Sequence, residues 1–131
     1  MNQVWDLTTL AGLRGCRVNA SDGTGIGEMN EIVYDYGSEN PVWIGVAPFS
    51  GVAFRTLLVP VEGAVEEGGD LQVAYSADEI RDEPLADLGA NFDSIGDQRH
   101  LYEYFAMPLD EDREVRVLHS GEDLPNSETV Y

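Results

Sequence analysis

The chain has 131 residues, 43% of them hydrophobic, which suits one domain with a single core. Seven arginines, with no lysine, face 25 acidic residues for a formal net charge of -18, and acids are in excess in each of the segments 1–36, 37–75, 76–107 and 108–131; nucleic acid and anionic membrane surfaces, which recruit basic patches, are electrostatically disfavoured and not expected as partners, whereas a basic protein, a cation or a salty cytoplasm fits such a field. Cys16 is the one cysteine, so no intramolecular disulfide forms, and with no leader at 1–6 and no run near the ~20 apolar residues of a membrane span the chain is expected to be soluble, unprocessed and cytoplasmic.

Leu7, Leu10 and Leu13 recur every three residues and predict a helical turn that lids the core. A first strand at about 16–19 leads into Asp22-Gly23, a hairpin signal whose two central residues are expected at positive φ. The second strand, about 25–34, sets Ile26, Ile32 and Tyr34 on one parity and Met29 and Val33 on the other. A bulge or bend between Ile26 and Met29 reconciles them, as at the corner of a small barrel.

After a turn at 35–40, Val42, Ile44 and Val46 alternate with Trp43, Gly45 and Ala47 in a third strand. A fourth, about 53–59, stops at Pro60, which has no N–H to give a ladder. A short strand at 64–66 and another at 70–75 close the β region. Ser76-Ala77-Asp78-Glu79 is a capping box that opens a short helix, ended near Asp82 by Pro84. Ser94 caps a second helix reaching about Ala106, in which Ile95, Leu101, Tyr102 and Phe105 share a face expected to dock on the barrel. Beyond Met107 the chain turns acidic and irregular and is expected to be a mostly mobile tail. Within it Val115 and Val117 alternate, leaving open an added edge strand in this or a neighbouring molecule. The expected division is a β domain over 1–75, a helical extension over 76–107 and the tail over 108–131.

Several of these motifs, in this order, resemble the PRC-barrel domain family. Leu13-x-Gly15-x-x-Val18, Asp22-Gly23, Ile26-Gly27-x-Met29 and Glu31-Ile32 are similar to its opening hairpin. Leu58-Val59-Pro60 looks like its Val-Pro strand end, and Tyr75-Ser76-x-Asp78-Glu79-Ile80-x-Asp82-x-Pro84 looks like the stretch after its barrel. Residues 92–105, with Leu101-Tyr102-x-Tyr104, resemble the helical extension of many members. The tail has no counterpart in the family. The resemblance implies a mainly β chain: a small barrel of about six strands with a C-terminal helical extension. It also implies roles as different as those of the reaction-centre H subunit's cytoplasmic domain and a ribosome-maturation factor's C-terminal domain. Neither role carries catalytic residues, so none is transferred.

Chemistry-bearing motifs are few. Gly23-x-Gly25-x-Gly27 lacks the helix start and the Lys-Ser/Thr of a phosphate loop, and reads instead as hairpin glycines at a corner. Cys16 lies near Arg14 and Arg17, which would activate an exposed thiol, but a small buried hydrophobe is the plainer reading. His100 and His119 have no ligand spacing for a transition metal, and Asp110-Glu111-Asp112 lacks the loop of a calcium site, leaving weak cation binding at most. No catalytic residue, metal site or cofactor is expected. Aromatics are the better clue. Trp5 and Phe49 fall outside strands, and Tyr102 and Tyr104 stand about 200° apart on their helix, so one of the two is exposed. These four are the interaction candidates of a non-enzymatic protein-interaction module that binds a partner protein or itself. A salt- or stress-adapted accessory protein and an enzyme with an unrecognised pocket are the alternatives.

Overall fold

Asp22-Gly23 does turn the chain, in a different way from the one expected. The computed structural model describes residues 5–49, 56–82, 95–107 and 115–118. Gly23 N donates to Ala20 O at 2.9 Å and takes φ 89°, but Asp22 is not at positive φ. A turn followed by one left-handed glycine satisfies the hairpin's twist with a single positive-φ position, which glycine adopts without strain. The Asp22 carboxylate accepts instead from Thr24 N at 3.0 Å. That N–H holds its pKa below the ordinary 3.8.

The hairpin joins β1 (Arg17–Asn19) to β2 (Gly25–Asp35). Two register shifts settle the broken parity of β2. Asn19 faces Gly25 and Val18 faces Gly27, which skips Ile26; on the other side Met29 faces Val46 and Glu31 faces Gly45, which skips Asn30. The distortion therefore brackets the expected stretch, and Ile26, Met29, Ile32 and Tyr34 all reach one core while Val33 reaches another.

β3 (Pro41–Pro48) and β4 (Leu57–Pro60) extend the sheet from β2, while β5 (Val65–Glu67) and β6 (Asp70–Gln72) extend it from β1, giving the order β4-β3-β2-β1-β6-β5. The predicted start of β4 at 53 lies outside the described residues. All pairs are antiparallel except β1 with β6. Among the described residues the path ends at β4 and β5 without a bond between them, so the mainly β expectation holds, as a seven-stranded sheet that is not closed into the expected barrel. Pro60 brings no donor to the end of β4, and Glu66 and Glu67 stand exposed on β5. The sheet nevertheless curls: Leu57 and Val59 of β4 share one core cluster with Leu71 of β6.

That first core is lidded by α1 (Leu7–Ala11) and α2 (Ala77–Arg81). Each has five residues, too few to hold a helix in water. Caps and packing hold them. Asp6 accepts from Thr9 N at 2.7 Å, a contact that keeps its carboxyl below 3.8, and Leu7, Leu10 and Ala11 are buried. Ser76 and Glu79 form the expected capping box at 3.2 and 3.0 Å, with Ala77 and Ile80 buried.

A second core lies on the other face of the sheet. There α3 (Ile95–Tyr104) brings Leu101 and Tyr102, followed by Phe105, onto Val33, Trp43 and Leu58. Trp43 meets the rings of Tyr102 and Phe105 edge-on at 5.3 and 5.7 Å. Residues 115–118, within the expected tail, form β7 (Val115–Leu118). β7 pairs antiparallel with β2, Val115 opposite Asp35 and Leu118 opposite Ile32, on the edge whose other half β1 occupies. Of the two placements left open for Val115 and Val117, the strand is added within the same molecule. Among the described residues no helix is long and apolar enough to cross a membrane.

Candidate functional site

The β2–β3 hairpin carries an exposed aromatic ring at each end, and an arginine from a neighbouring strand lies over each. At the β3 exit Phe49 is 51% exposed, its N–H bonded to Ile26 O at 3.0 Å. The Arg17 guanidinium carbon stands 5.2 Å from the Phe49 ring centroid. Arg17 is steadied from below, since its Nε donates to Asn19 Oδ1 at 2.9 Å and Asn19 Nδ2 reaches Asp70 Oδ2 at 3.4 Å. Gly25 leaves room for this arrangement: a Cβ there would overlap the guanidinium. At the opposite end Tyr36 is 53% exposed, and Arg116 of β7 lies 4.5 Å over its ring.

Beside Tyr36 the turn between β2 and β3 is tightly made. Asp35 Oδ1 accepts from Gly37 N at 2.9 Å, Ser38 Oγ from Asn40 N at 3.3 Å, and Glu39 takes the left-handed φ of 62°. This turn forms one bank of a cleft of about 290 Å³. Trp5, Val42, Val61 and Met107 supply its apolar walls; Asp35, Ser38, Asn40 and Glu62 supply its polar lining. Trp5 meets its own polar need elsewhere, since Nε1 donates to Ala64 O at 2.9 Å. Glu62 is exposed, and its carboxylate helps raise the pKa of the Tyr75 phenol, after burial and ahead of Glu79.

The four aromatic candidates part ways. Phe49 is on the surface. Trp5 is only 6% exposed, its indole N–H bonded to the Ala64 carbonyl in the loop after β4, and it forms a wall of the cleft instead of standing on the open surface. Of the helix pair, Tyr102 is the one facing in, 2% exposed against Trp43. Tyr104 is 39% exposed, but its hydroxyl donates to Glu79 O at 2.7 Å and its ring packs on Phe105, so it ties α3 to α2. Tyr36 escaped nomination, although the criterion that picks Phe49, an aromatic side chain outside a strand, picks it too.

Cys16 is half-buried, and burial, ahead of the Asp70 and Glu66 carboxylates, pushes its thiol pKa up. The arginine-activated thiol is not what this environment makes. Among the described residues no group of three or more His, Cys, Asp or Glu could hold a metal ion. The His100 side chain, His119 and the acidic run 110–112 lie outside them. No protein-family model matches the chain, and neither does any curated protein.

Proposed function

We propose that the chain is a non-enzymatic protein-interaction module of PRC-barrel type whose partner is a protein with a basic surface. The observation that carries this reading is the Arg17–Phe49 pair, a half-exposed ring under a guanidinium positioned by Asn19. Aromatic and arginine side chains are the types on which interface energy concentrates. A ring already ordered on its own surface loses little freedom on binding. The net charge of -18 selects the partner's sign. The motif order from Leu13 to Pro84 supports the likeness to PRC-barrel domains in a mainly β chain whose sheet is open.

Two substitutions test it. Phe49→Ala is expected to weaken partner capture from native lysate by about 1–2 kcal/mol. Gly25→Ala should displace Arg17, the flexible neighbour its Cβ would overlap, and weaken capture while leaving stability within about 1 kcal/mol. Capture unaffected by both, with a monomer at every concentration in light scattering, sinks the reading.

A second reading, salt adaptation, draws on a different fact: seven arginines cannot pair 25 carboxylates, so self-repulsion opposes the fold until salt screens it. Urea midpoints are expected to rise steadily from low to molar sodium chloride. A flat or falling series argues against it.

A further inference from the structure

We infer that the cleft between the 35–40 turn and Val61-Glu62 binds an aliphatic cation, an alkylammonium or alkylguanidinium group, stem against the walls and charged head at the carboxylate lining. The inference stands apart from the interaction reading, whose pair lies at the other end of the hairpin. At about 290 Å³ the cleft lies at the lower edge of the roughly 300–1,000 Å³ of pockets for drug-sized ligands, so it has room for a small ligand or one long side chain. Trp5, Val42, Val61 and Met107 leave an apolar surface with no polar group in need of a partner from the ligand, because the one polar handle among them, the Trp5 indole N–H, is already bonded to Ala64. A neutral polar ligand would lose its hydration against those walls. An anion meets Asp35 and Glu62, and among the described residues no arginine lines the cleft. What satisfies both parts at once is a long apolar stem ending in a positive charge, the division by which lysine and arginine lie along apolar surface with the head in water. The exposed Glu62 and half-buried Asp35 place the charge at the mouth, and Trp5 adds an aromatic wall of the kind cations favour.

The Trp5 indole N–H is a built-in probe, since only two tryptophans are present and Trp43 lies in the other core. In nitrogen–proton NMR spectra, pentylammonium chloride is expected to shift the Trp5 indole signal and leave Trp43 in place. Pentanol of the same length should need about tenfold more concentration for the same shift. Asp35→Asn, which keeps the acceptor that Gly37 uses, combined with Glu62→Gln should erase that tenfold preference; an unmoved Trp43 signal certifies the fold, and Glu62→Gln alone should remove part of the preference. A capped lysine peptide that outcompetes 1,5-diaminopentane assigns the cation to a partner's side chain, and the reverse order assigns it to a free polyamine. Equal response to amine and alcohol, a Trp5 signal that stays still at the highest amine concentration, or an amine preference undiminished in the double variant overturns the inference.

Discussion

Replacing Gly27 with alanine is expected to remove about 3 kcal/mol or more of folding free energy, the upper part of the range for forced overpacking. A Cβ at this position would overlap the Ala47 carbonyl oxygen and stand 2.8 Å from Pro48 Cα. Those are backbone atoms of β3, paired with β2 at this point, so no side chain can swing aside and the two strands must part. Gly23→Ala is the control: its φ of 89° strains any side chain, but nothing lies within 4 Å, and the expected loss is about 1–2 kcal/mol. Urea denaturation of both proteins decides. With total stability of a domain this size on the order of 5–15 kcal/mol, a Gly27→Ala protein within 1 kcal/mol of the parent would mean that β2 and β3 do not cross this closely.

The second large effect belongs to Trp43. Truncation to alanine is expected to destabilise by about 3–5 kcal/mol, since the side chain is 1% exposed and carries edge contacts to both Tyr102 and Phe105. The loss should be uneven. Amide exchange at 101–105 is expected to accelerate far more than at Met29 or Ile44, which serve the first core. Trp43→Phe, which keeps a ring in place, should retain much of the α3 protection. Equal acceleration of both regions would show that the two cores open as one.

Much of the first core could be read in the chain because it depends on local rules. Alternation along 41–47 separates Ile44 and Val46 from Trp43, the parity break in β2 calls for a bulge, and Ser76 to Glu79 spells a cap. What could not be read depends on partners distant in sequence. Whether Tyr102 or Tyr104 faces inward rests on where α3 meets Trp43, a matter of docking rather than periodicity. Trp5 is interior because a carbonyl 59 residues away accepts its indole N–H. Among the described residues no pairing joins β4 to β5, whereas family likeness implies closure. For the cleft, no motif could have found it: its lining comes from four separate parts of the chain, and only the fold brings Trp5, Asp35, Glu62 and Met107 together.

β7 bears on how this protein is made. The strand completes the edge of β2 at Asp35, a pairing that spans 80 residues from Asp35 to Val115. Closing so long a loop is entropically slow compared with forming the β1–β2 or β2–β3 hairpins. During synthesis the centre of the sheet thus exists for most of the chain's emergence with half an edge bare, and bare edges recruit other strands. The net charge of -18 sets a like-charge repulsion between copies that opposes such edge-to-edge pairing.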